Sequence, residues 1–147
     1  MTTISKPLST VGWEHFDHGA DIGVRGVGMT RAQAFEQAAL ALTAIVAPIE
    51  SVEQCQRVEL FAENRDPELL FVEWLDALIF EMATRKMLFS RFQVDIQDDR
   101  LRACAWGEAV DIERHQPAVE VKGATLTELK VAQSANGMWV AQCIVDV

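Results

Sequence analysis

DIGVRGVGMTRAQAFEQAALALTAIVAP, residues 21–48, reads as a strand that passes through closely spaced glycines into a helix. From Asp21 to Gly28, Ile22, Val24 and Gly26 alternate with polar or small residues, the period of a half-buried strand, and the glycines permit close backbone approach. Thr30 with Gln33 forms a capping-box pattern. Phe35, Ala38, Ala39, Leu42, Ile45 and Val46 then recur at helical spacing until Pro48 stops the run.

Downstream, Arg57 to Glu63 alternates as a strand, with Val58, Leu60 and Ala62 inward. Asp66 and Pro67 then suit an N-cap and first helical residue. The apolar residues that follow, from Leu69 to Met82, cover most of a helix circumference, which predicts a central helix covered on several sides. Phe92, Val94 and Ile96, an Asp98-Asp99 turn, and Leu101, Ala103 and Ala105 read as a hairpin. Val119 with Val121 and Leu129 with Val131 suggest two more strands, and Asn136-Gly137 signals a hairpin into a C-terminal strand. Upstream, residues 1–12, with Pro7 and Gly12, read as a flexible leader before a single domain over 13–147. The fold class expected is α+β, a largely antiparallel β-sheet with two main helices.

A chain of 147 residues that is half apolar should bury roughly two-thirds of its unfolded surface. It then needs neither disulfide nor metal to fold, and a bound metal would serve function. Thirteen basic against 22 acidic side chains leave −9, which repels phosphate backbones and argues against direct nucleic-acid binding while favouring a cation or a basic partner. Cys55, Cys104 and Cys143 are far apart and lack a CxxC pairing, so they are expected to be small core residues in a reducing compartment. The four tryptophans, Trp13, Trp74, Trp106 and Trp139, are likewise expected in the core. Without a signal-like start or a bilayer-length apolar run, the protein is expected in the cytoplasm with no membrane partner.

The usual phosphate-cradling, serine-hydrolase and zincin motifs are missing from the sequence. What stands out is DHGAD at 17–21, in which Asp17, His18 and Asp21 either ligate a hard cation or shape a turn. Asp146 and the carboxyl group of Val147 offer a second set of oxygen ligands, or else a solvated chain end. Between them the polar stretch from Gly107 to Thr125 carries Glu108, Asp111, Glu113, Arg114 and His115, then a strand bearing Glu120 and Lys122. Surface salt bridges account for Arg114 and Glu113 better than a functional loop does, while Lys122 suits a functional loop or a β-edge lysine that blocks sheet association.

WEHFDHGADIGVRGVG, LLFVEWLDALIFE with LFSRFQV, WGEAVDIERHQPAVEVKGAT and NGMWVAQCIVDV, in that order, resemble the archease family from Trp13 to Val147. The resemblance implies an antiparallel α+β domain that is not an enzyme but an activator of the RtcB-type GTP-dependent RNA ligase in tRNA splicing and RNA repair. It would promote guanylylation of the ligase and multiple turnover. Carried over by motif, Asp21, Asp146 and Val147 would hold a divalent cation, Ca²⁺ or Mg²⁺, and Lys122 would act at the ligase. His18, Glu108, Arg114 and His115 match recurrent motif positions whose roles are less defined, and Asp17 and Glu120 are further candidates beside them. Gly19 stands where the family usually has Thr, and Thr127 where a His is common. Two other readings stay open: a stand-alone metal-dependent phosphoester hydrolase with His18 or His115 as base, and a general chaperone or modulator of RNA-modifying enzymes.

Overall fold

The structure is a computed structural model, and it describes residues 10–147. Most of the expected leader therefore lies outside the described residues. The chain forms β1 (Gly12–His18), β2 (Asp21–Gly28), α1 (Arg31–Val46), β3 (Gln56–Glu63), α2 (Pro67–Arg85), β4 (Met87–Gln97), β5 (Arg100–Ala109), a four-residue α3 (Ile112–His115), β6 (Gly123–Ala124), β7 (Lys130–Gln133) and β8 (Trp139–Asp146). A 3₁₀ turn at Ile49–Ser51 follows α1.

The strands make two sheets, and every strand pairing among the described residues is antiparallel. One has the order β1-β2-β8 with β6 and β7 both beside β8, and the other is β3-β5-β4. Turn chemistry sets the hairpins. Gly19 takes a φ of +62° between β1 and β2, and Asp98 a φ of +58° between β4 and β5. At the third hairpin Gly137 has a φ of +85° between β7 and β8.

The two main helices pack between the sheets. Thr30 caps α1 by accepting from the Gln33 amide at 3.0 Å, while the Gln33 side chain accepts from the Met29 amide at 2.7 Å. Gly26 is required where α1 crosses β2: a Cβ there would lie 2.1 Å from the Ala34 carbonyl oxygen and 2.3 Å from the Ala38 nitrogen. Asp66 caps α2 through the amides of Glu68 and Leu69. Trp74 of α2 donates from Nε1 to the Phe35 carbonyl at 3.0 Å, and the Phe35 and Phe71 rings meet edge-on, 5.0 Å apart. Thr43 of α1 donates to the Phe89 carbonyl of β4 at 2.6 Å. The core thus runs through α1 from one sheet to the other.

Several expectations are corrected. The more enclosed helix is α1, with buried residues on most of its circumference, whereas α2 leaves Leu69 and Phe80 exposed. Val119 and Val121 belong to no strand, because residues 117–122 make no strand ladder and only isolated backbone bonds, Ala118 to Val46 and Lys122 to Asp146. Glu120 and Lys122 are therefore on a strap and not on a sheet. Cys55 is exposed and Cys104 only partly covered, leaving Cys143 as the core cysteine. Burial pushes the Cys143 thiol up to about 12, so it stays protonated at neutral pH. Of the tryptophans, Trp74 alone is fully buried, and Trp13, Trp106 and Trp139 are partly exposed.

Candidate functional site

Antiparallel register gathers residues from the two ends of the chain. Ile22 pairs with Val145, so the next residues outward, Asp21 and Asp146, stand opposite each other at the end of β2 and β8. On the other side of Asp21, the first hairpin pairs it with His18, and Asp17 pairs with Ile22. Asp146 in turn pairs with Gly123 of β6, and its carbonyl accepts from the Lys122 amide at 2.8 Å. Asp21, Asp146, Val147, Lys122 and His18 thus share one end of one sheet. Asp21 is half-buried, while Asp146, Lys122, Asp17 and His18 are exposed.

The direction of α1 adds to the negative potential there. Gly28 meets the helix at Ala34, Gly26 meets it at Ala34 and Ala38, and His15, which pairs with Val24, contacts the Ala41 carbonyl. The helix therefore runs back along β2 and sends its C-terminal end, the negative end of its dipole, toward the Asp21 end of the sheet.

Asp76, which sequence reading did not single out, helps to hold this arrangement. Its Oδ1 accepts from the Ala124 amide of β6 at 2.9 Å, fixing that short strand against β8. Glu68, two turns earlier on α2, accepts in the same way from the Val131 amide of β7 at 3.3 Å. Strands of two and four residues supply few ladder bonds, so helix carboxylates satisfy donors that β8 does not. An acidic residue set between Leu75 and Ala77 in the mostly apolar stretch LLFVEWLDALIF was the available signal for Asp76.

A second cluster lies where β5 ends. Glu108, nine-tenths buried, accepts from both terminal nitrogens of Arg114, at 2.7 and 2.5 Å, from the Glu53 amide at 2.6 Å, and from Nε2 of His115 at 3.0 Å. His115 is almost wholly buried, and its Nδ1 accepts from the Asp111 amide at 2.8 Å. That bond leaves the ring proton on Nε2, the nitrogen that faces Glu108. Arg114 also reaches the Ser51 carbonyl at 2.8 Å. The Arg114 guanidinium, then the Glu53 amide, hold the Glu108 carboxyl at about 2, and in return the carboxylate raises Arg114. All these polar groups are mutually satisfied, so the cluster ties α3 to the loop after α1. Glu108 also lies near Glu53 and Cys55 in a grouping of potential ligands, but its oxygens are already taken by Arg114, Glu53 and His115. The structure thus joins Glu108, Arg114 and His115 to one another in a cluster that includes neither Asp21 nor Asp146.

Two positions unusual for the resembled family have local explanations. Gly19 meets nothing within 4 Å, and its positive φ belongs to the tight turn that pairs His18 with Asp21. Thr127 is exposed, and its carbonyl accepts from the Ile144 amide at 3.0 Å, so the backbone at this position supports β8 whatever side chain it carries.

Comparison with known proteins gives consistent results. The profile of the Archease protein family (MTH1598/TM1083) matches residues 13–147. The chain is 35% identical over 139 residues to protein archease of Pyrococcus furiosus, covering 92% of this chain and 98% of that one. It is 37% identical over 141 residues to protein archease of Thermococcus gammatolerans, with the same coverage. The solution structure of Methanobacterium thermoautotrophicum protein 1598 superposes with a TM-score of 0.81 at 33% identity, covering 92% of this chain and 99% of that one. An archease from Thermotoga maritima, described as a possible chaperone, shares the fold with a TM-score of 0.55 at 15% identity over the full length of both chains. On the match to its profile and to these relatives, the chain belongs to the archease family.

Proposed function

We propose that this protein activates an RtcB-type GTP-dependent RNA ligase, promoting guanylylation of the ligase and repeated turnover in tRNA splicing and RNA repair. The observation that carries the reading is the register that sets Asp21 beside Asp146, with Lys122 bonded through its amide to Asp146. Two carboxylates with a main-chain oxygen of Val147 form an all-oxygen donor set, which suits a hard divalent cation, Ca²⁺ or Mg²⁺. When bound, such an ion supplies positive charge for orienting phosphate oxygens. Asp21 and Asp146 would hold it, and β6 keeps Lys122 beside them, its ammonium free to meet a partner's anionic group. Glu108, Arg114 and His115 act as positioning residues that anchor the strap leading to Glu120 and Lys122. No helix among the described residues is long and apolar enough to cross a membrane, and the proposed setting is the cytoplasm.

Multiple-turnover joining of a 3′-phosphate RNA by the ligase of the same organism, with GTP, tests the reading. Wild-type protein should raise the number of turnovers, and Asp21→Ala should remove that effect with the far-UV spectrum unchanged. Failure of folded wild type to stimulate would refute it. Hydrolysis of a phosphoester by the protein alone would point to a hydrolase, and equal binding to several unrelated RNA-modifying enzymes to a general chaperone.

A further inference from the structure

The net charge of −9 conceals an uneven distribution. On the outer face of the β3-β5-β4 sheet the alternate side chains from Arg57 to Glu63, from Arg91 to Gln97 and from Arg100 to Trp106 are exposed or half-exposed, and both helices pack on its opposite face. Cross-strand register arranges this face in rows. One row is Arg57, Trp106 and Arg91, and another, four residues along β5, is Phe61, Arg102 and Asp95. In each row a guanidinium lies over an aromatic ring: Arg91 is 4.4 Å from the Trp106 ring centroid and Arg102 is 5.9 Å from that of Phe61. These are two of the three such pairs found among the described residues.

The carboxylates on the face do not neutralise these two arginines. Glu59 is engaged by Arg57 at 2.7 Å and Glu63 by Arg100 at 3.7 Å. Arg91 and Arg102 have no ion-pair partner among the described residues, and Asp95 is the carboxylate left over. Phe61 is 62% exposed, with the Arg102 guanidinium as its neighbour on this face. Two guanidinium-aromatic pairs about 13 Å apart along one strand match the needs of a strand of nucleotides, whose bases stack on planar groups while phosphates meet cations. Asp95, opposite Arg102, would repel a phosphate, but it can accept a hydrogen bond from a ribose 2′-hydroxyl, which favours RNA over DNA.

We propose that the outer face of the β3-β5-β4 sheet binds single-stranded RNA, with Arg91 and Arg102 meeting phosphates and the Trp106 and Phe61 stacks receiving bases. It is independent of the Asp21 site and of the ligase reading. The acidic remainder of the molecule keeps the binding weak and restricts it to this face. Fluorescence anisotropy of a labelled twelve-residue oligoadenylate, titrated with the full chain at low salt, tests it. Binding should fall with salt at a log–log slope of about −1.4, the value for two phosphates on a single strand. Arg91→Ala with Arg102→Ala should weaken binding at least tenfold, Arg91→Lys less so, and the deoxy oligomer should bind more weakly than RNA. Absence of binding, or equal binding by the folded double variant, would overturn the proposal. So would equal displacement by polyglutamate, which would reveal a site for any polyanion.

Discussion

Arg114 grips Glu108 with both terminal nitrogens, and the buried His115 donates to the same carboxylate. The arrangement makes stability pH-dependent with a defined sign. The Glu108 carboxyl lies at about 2 in the folded protein, below the 4.5 expected without these partners. Its contribution is therefore complete above pH 4.5 and is lost as pH falls toward 2. Glu108→Gln should flatten the acid limb of thermal stability measured between pH 5 and 2.5. Parallel limbs for variant and wild type would show that the cluster does not control it.

Glycine positions separate two kinds of constraint. At Gly26 a methyl group would collide with the α1 backbone, which cannot move away without lifting the helix from β2. Gly26→Ala should cost on the order of 3 kcal/mol or prevent folding, by overpacking. Gly19 has open space but a left-handed φ, so Gly19→Ala should cost only about 1 kcal/mol. Urea unfolding of the two variants checks both the order and the gap.

Lys86 ends α2 in the left-handed conformation, with φ 54° and ψ 52°, and is exposed. Its backbone bonds, from its amide to Met82 and from Val110 to its carbonyl, survive replacement of the side chain. Lys86→Gly should therefore stabilise the protein by about 0.5–1 kcal/mol, the relief of a strained non-glycine residue less the added freedom of the unfolded chain. A lower melting temperature would contradict this.

Much of the local structure was legible because it is encoded by neighbours. Thr30, Gln33 and Pro48 bound α1, Asp66-Pro67 starts α2, and the Asp98-Asp99 and Asn136-Gly137 pairs turn where expected. The division into two sheets was not legible, because β2 and β8 meet through residues such as Arg25 and Gln142, which are 117 apart in sequence. The enclosure of α1 was hidden as well. It depends on small residues on both sides, Gly26 and Gly28 facing Ala34 and Ala38, which a hydrophobic pattern underrates. Val119 and Val121 have strand periodicity but no neighbouring strand to complete a ladder. For the site, Asp21 and Asp146 stood out as residue types, while their adjacency followed from register alone. Glu108 ends β5 while Arg114 and His115 stand on α3, so their mutual bonds cross between two elements and could not be read from the period of either.

Asp76 offers a test of how the end of the sheet is held together. Asp76→Ala removes the acceptor for the Ala124 amide. Hydrogen exchange at Ala124 and Lys122 should accelerate, with exchange in α1 unchanged. Because Lys122 is bonded to Asp146, stimulation of the ligase should fall in parallel. Unaltered exchange at these amides would mean that β8 alone secures β6.

The most direct measurement is the fraction of RtcB-type ligase guanylylated after one round of ligation, read with labelled GTP and Mg²⁺, with wild-type protein, Asp21→Ala or Glu108→Gln added. Wild type should restore the guanylylated ligase. Asp21→Ala should not, though equally folded, and Glu108→Gln, which weakens the anchor of the strap that carries Lys122, should restore it only in part. Full restoration by Asp21→Ala would contradict the claim that the paired carboxylates of β2 and β8 are what the ligase requires.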